Sequence, residues 1–109
     1  MFGNKHSKVA HALEKGKASA LVDLTHDKDE SVRIEAIDAL GKLKSNDGVN
    51  PLTNLLHDPS GEVRKHAALA LGEIGDAHSK AHVAFAAENE KDAGIKAAMH
   101  EALAKLKDY

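Results

Sequence analysis

The apolar positions of this chain fall into helical steps. Val32, Ala36, Ala39, Leu40 and Leu43 lie at i, i+4, i+7, i+8 and i+11, which places them on one face of an α-helix. No stretch alternates apolar and polar residues as a half-buried strand would. The same face returns 31 positions on, where Val32, Arg33, Ala36, Ala39, Leu40 and Gly41 recur as Val63, Arg64, Ala67, Ala70, Leu71 and Gly72. The preceding segment keeps that step, with Leu21, Leu24, His26 and Asp27 recurring as Leu52, Leu55, His57 and Asp58. The repeating unit therefore has two parts. A weaker third copy runs through Val83, Ile95, Met99, Leu103, Ala104 and Leu106, with one extra residue before Ile95.

This pattern predicts a helix over 6–15 and then pairs at 17–26 with 30–44, 47–57 with 61–74, and 77–88 with 92–107. Asp29, Ser60 and Asp92 stand ahead of the second helices, where a side-chain oxygen caps free backbone N–H groups. Pro51 sits early in a first helix, where the missing N–H costs little. The expected organisation is one all-α domain over 1–109, with an N-terminal cap at 1–16 and repeats at 17–46, 47–76 and 77–109. A chain of this length buries roughly 60–70% of its unfolded surface on folding, so it needs no staples.

Composition narrows the functional classes. Without cysteine there is no disulfide framework, thiolate metal site or thiol nucleophile. Lys and Arg number 15 against 17 Asp and Glu, and the signs are interspersed, which disfavours a polyanion such as nucleic acid as partner. The aromatic residues Phe2, Phe85 and Tyr109 are too few for a base-stacking platform. No apolar run approaches the roughly 20 residues of a membrane span, and the first residues show no secretory pattern. A soluble, cytoplasmic protein without a membrane partner is expected.

The segments "SVRIEAIDALGKLK" (31–44), "EVRKHAALALGEIGD" (62–76) and, more loosely, "GIKAAMHEALAKLKD" (94–108) resemble HEAT repeats, in particular the short subtype named after phycobilisome lyases. The resemblance covers about 17–108. It implies an α-solenoid, with antiparallel helix pairs stacked into a right-handed superhelix of about three repeats behind an N-terminal capping helix. Gly41 and Gly72 then mark close helix approaches, and Arg33 and Arg64, beside Asp27 and Asp58, form a charged ladder between repeats. In such arrays the second helices line a concave face. The positions turned to it are Ile34, Glu35, Asp38 and Lys42, then Lys65, His66, Leu69 and Glu73, then Ala97, Ala98, Glu101 and Lys105. Of these, Ile34 and Leu69 serve as apolar anchors in a charged surround.

Deoxyhypusine hydroxylases, built from similar repeats, hold iron with His-Glu dyads just after the "VR" of the second helices. Here the histidine position holds Ile34, Lys65 and Ala97, and the glutamate position holds Glu35, His66 and Ala98. No copy has the dyad. His100-Glu101 comes three residues too late, aligned with Ile37 and Ala68, and reads as a half-buried or edge histidine. His78 and His82, at i, i+4, supply two of the three or four ligands that a zinc or nickel site requires, a weak metal candidate. His26 and His57 recur at first-helix ends, where they complement the helix dipole; His6 and His11 have no supporting constellation. There is no phosphate-binding loop and no G-x-S-x-G elbow.

The expected function is accordingly a non-enzymatic interaction module without cofactor. It binds a protein or peptide on the strip of Ile34, Glu35, Asp38, Lys42, Lys65, His66, Leu69, Glu73, Glu101 and Lys105. Self-association is a rival use of that strip. The alternative is a metal-binding or bilin-lyase-like enzyme or accessory subunit.

Overall fold

The computed structural model describes residues 4–106. Among these residues every regular element is helical. They form α1 (Lys5–Glu14), α2 (Ala18–Leu24), α3 (Glu30–Leu43), α4 (Val49–Leu55), α5 (Gly61–Ile74), α6 (Lys80–Asn89) and α7 (Ala93–Lys105). Short 3-10 turns at Asn46–Gly48 and Ala77–Ser79 lead into α4 and α6.

The three expected caps start the long helices. Asp29 accepts from the Ser31 N–H at 2.9 Å, Ser60 from the Val63 N–H at 3.3 Å, and Asp92 from the N–H groups of Gly94 and Ile95. The first helices are shorter than their apolar pattern predicts. Ser45 and Asp76 accept hydrogen bonds from the N–H groups two residues on, which closes a tight turn before the α-helical ladder begins. Thr25, fully buried, turns its hydroxyl back onto the Val22 carbonyl at 2.6 Å, and α2 stops there instead of running to 26. The expected end of the last helix at 107 lies outside the described residues.

The helices form two layers in a slab of 44 × 29 × 17 Å, the thin dimension matching two helices stacked at an interaxial distance of roughly 8–10 Å. One layer holds α1, α3, α5 and α7, each packed on the next. The other holds α2, α4 and α6, packed on α3, α5 and α7 respectively. Leu21, Leu40, Leu52, Leu56, Leu71 and Met99 are buried between them, a single continuous core. Leu43, expected in that core, packs only partly against it.

Glycine sets the spacing within the long-helix layer. A Cβ on Gly41 would lie 3.1 Å from the Ala70 Cα, and one on Gly72 would lie 3.1 Å from the Ala102 Cα. Backbone thus meets backbone, and the helices approach more closely than larger residues permit.

The arginine ladder differs from expectation. Arg33 Nη1 donates to the carbonyls of Asp27 (2.9 Å) and Lys28 (3.3 Å), and Arg64 Nη1 to those of Asp58 (2.9 Å) and Pro59 (3.2 Å). The bonds go to main-chain oxygens, while the Asp27 and Asp58 carboxylates accept the N–H groups of Asp29 and Ser60. The carboxylate that Arg64 does engage is Glu90, from Nε at 2.8 Å and Nη2 at 3.1 Å.

Candidate functional site

The face of the long-helix layer that points away from α2, α4 and α6 carries the expected strip. It holds two adjoining hollows. One, of about 350 Å³, lies between α1 and α3 and is walled by Leu13, Glu35, Asp38 and Lys42. The other, of about 330 Å³, lies between α3 and α5, floored by Gly41 and Ala70 and walled by Leu69 and Glu73. Asp38 and Lys42 border both. The second hollow follows from the close packing at Gly41: where neither helix projects a long side chain, a trough remains.

Pairs across the helices order the strip's charges. His6 Nδ1 contacts Glu35, His66 Nδ1 lies 2.9 Å from Asp38 Oδ1, and Lys105 Nζ bonds Glu73. His66 Nε2 is also 3.7 Å from Glu62 on its own helix. The hydrogen bond to Glu35 raises the His6 pKa above its ordinary value. The Lys105 ammonium lowers that of Glu73, and Glu73 in turn raises that of Lys105. Glu35, Asp38 and Glu73 thus each have a basic partner, while Lys42 and Lys65 have no ion pair among the described residues.

Of the predicted strip, Glu35, Lys42, Glu73, Glu101 and Lys105 are exposed, and Ile34, Asp38, Lys65, His66 and Leu69 are half-buried. Ala98 is buried, contrary to expectation. It stands apart from the core cluster that holds Ile95, Met99 and Ala102, and the exposed position beside it is Ala97. His6, Val9 and Leu13 join the strip from α1. Nothing in the repeat pattern signals them, since α1 has no aligned copy and His6 meets Glu35 only through packing.

The remaining histidines are dispersed. His100 is exposed, not half-buried, because among the described residues no helix covers that side of α7 as α5 and α7 cover Ile37 and Ala68. His78 lies in the turn before α6, with Nδ1 3.0 Å from Asp76 Oδ1 and its side chain 95% exposed. Since α6 begins only at Lys80, His78 and His82 do not share a regular helix face. Among the described residues, no group of three or more His, Asp or Glu is placed to hold a metal ion, and no helix is long and apolar enough to cross a membrane. His57, just past α4, meets the exposed Phe85 edge-on with ring centroids 6.4 Å apart.

Known proteins share this architecture. The fold is similar to that of an epoxyqueuosine reductase solved with an epoxyqueuosine-modified tRNA-Tyr stem loop, at 35% identity and a TM-score of 0.68, over 71% of this chain and 21% of that one. It is also similar to epoxyqueuosine reductase from Bacillus subtilis, at 28% identity and a TM-score of 0.74, over 80% of this chain and 28% of the other. In sequence, 82 residues are 32% identical to a 5-methyltetrahydropteroyltriglutamate–homocysteine methyltransferase of Bifidobacterium adolescentis, covering 67% of this chain and 11% of that protein. The chain therefore spans 21% and 28% of the two reductases and about a tenth of the methyltransferase.

These matches correct the expectation of a non-enzymatic protein-binding scaffold, because the reductases are enzymes. That expectation rested on the lack of a catalytic motif within these residues. A repeat segment serves an enzyme equally well when the reacting groups lie elsewhere in the molecule. The model for HEAT repeats matches residues 18–104, most of the chain, and the protein belongs to the HEAT-repeat family.

Proposed function

We propose that this chain is an enzyme-related repeat domain that holds an RNA stem loop on the strip formed by α3, α5 and α7. The observation that carries this reading is the 35% identity and shared fold with the reductase solved with a tRNA stem loop. The strip's charge pattern supports it. Whole-chain charge disfavours a polyanion, but Glu35, Asp38 and Glu73 each face a basic side chain, His6, His66 and Lys105 respectively. Lys42 and Lys65 stay available to phosphates, and Leu69 and Ile34 offer apolar surface to sugar and base.

A fluorescein-labelled tRNA stem loop titrated with the 109-residue chain at low salt tests this by anisotropy. Saturable binding is expected, with log affinity falling against log salt at a slope of roughly −1.5 for two phosphate contacts. Lys42→Glu with Lys65→Glu should weaken it by about tenfold or more, given two lost charge contacts. Absence of saturable binding at low salt contradicts the reading, as does binding that the double charge reversal leaves intact.

A further inference from the structure

Together with Glu62 beside His66, the strip carries five carboxylates, those of Glu35, Asp38, Glu62, Glu73 and Glu101. Against them stand three ammonium groups, those of Lys42, Lys65 and Lys105. With its imidazoles neutral this surface repels phosphate, and protonating His6 and His66 removes the excess of two negative charges. Each imidazole is placed to hold a proton. His66 on α5 has Nδ1 2.9 Å from Asp38 on α3 and Nε2 3.7 Å from Glu62, and only the protonated ring offers a hydrogen at both nitrogens. Of the other helices packed on α5, α4 has no titratable residue. From α7, Glu101 and Lys105 reach the strip, Lys105 bonded to Glu73.

His6 contacts Glu35 on α3, and shares its hollow with Asp38 and Lys42. The bond to Glu35, then the charges of Glu35, Asp29 and Asp27, raise its pKa, while Lys5 is engaged with Asp27 at 3.0 Å. The short helix α2, also packed on α1, carries Asp23, which sits with Lys8 and His11 instead of with His6.

Taking the strip as the RNA-binding surface proposed above, we infer that His6 and His66 are its proton switches. Protonated, they cancel the excess negative charge and leave Lys42 and Lys65 to hold phosphates; neutral, they leave a surface that repels them. Protons and RNA then bind cooperatively, since each proton taken up adds a positive charge beside the phosphates.

The test titrates the fluorescein-labelled tRNA stem loop with the full chain at constant ionic strength, at about pH 8 and about pH 6, where carboxylates stay ionised. Affinity should rise about tenfold or more at the lower pH. His6→Gln with His66→Gln should flatten that rise to about twofold or less, and His6→Lys with His66→Lys should bring the tighter affinity to the higher pH. His78→Gln with His82→Gln, at exposed positions off the strip, should change nothing, and circular dichroism melts at both pH values show that each variant is folded. Binding equal at the two pH values overturns the inference and leaves RNA binding standing. So does a rise that survives the double glutamine exchange, or a folded lysine variant no tighter than wild type at the higher pH. No saturable binding at either pH overturns both.

Discussion

Lys44 and Gly75 close α3 and α5 at matching positions, and both adopt left-handed backbone, with φ of 54° and 77°. Glycine takes this conformation freely, whereas an L side chain is strained there by roughly 1 kcal/mol. Lys44 has no ion pair among the described residues to offset that cost. Lys44→Gly should therefore raise stability by about 0.5–1 kcal/mol, read as a higher urea midpoint at unchanged m-value. Gly75→Ala should lower stability by a similar amount, even though a Cβ there meets nothing within 4 Å, because the backbone alone sets the strain. The repeat register shows that residues 44 and 75 correspond. It does not show that both are left-handed, since lysine carries no such signal.

At the scale of elements, the interface between α3 and α5 lacks a bond that the next interface has. Arg64 forks onto Glu90 through Nε and Nη2. Arg33 holds the same main-chain carbonyl pose, yet its buried Nε has no partner among the described residues. The residue aligned with Glu90 is Asp58, one methylene shorter, and its carboxylate accepts the Ser60 N–H as Glu90 accepts that of Asp92. Asp58→Glu should reach the Arg33 fork and stabilise the fold by about 0.5–2 kcal/mol, measured as a rise in Tm.

Acid sensitivity follows from the completed fork. Arg64 holds the Glu90 carboxyl below its ordinary value, so the pair's stabilisation is present above the unfolded pKa of about 4.3. It is lost as pH falls through the lower, folded value. Tm profiles of wild type and Glu90→Gln should separate at pH 6 and converge on acidification. These contacts were only partly legible. Val32, Ala36, Ala39 and Leu40 announce their buried face by spacing, and Asp29, Ser60 and Asp92 announce helix starts by residue type. The partners of Arg33, Arg64, His6 and His66 depend on the offset between neighbouring helices, which periodicity within one helix does not determine.

For the whole molecule, the two-layer slab and the close approaches at Gly41 and Gly72 shape the strip, and cross-helix contacts give Glu35, Asp38 and Glu73 a basic partner each. The repeat pattern marked Glu35, Asp38, Lys42, Leu69 and Glu73 for that surface, and the structure sets them around two adjoining hollows. The kind of partner was not legible, because whole-chain charge conceals which side chains are already paired.

The most direct measurement exchanges the matched repeat segment of an epoxyqueuosine reductase for this chain and follows turnover on an epoxyqueuosine-modified tRNA stem loop. The chimera should retain kcat within about tenfold of the parent, and Lys42→Glu with Lys65→Glu should raise KM about tenfold or more with kcat little changed. A folded chimera whose KM ignores those two charges would contradict the account.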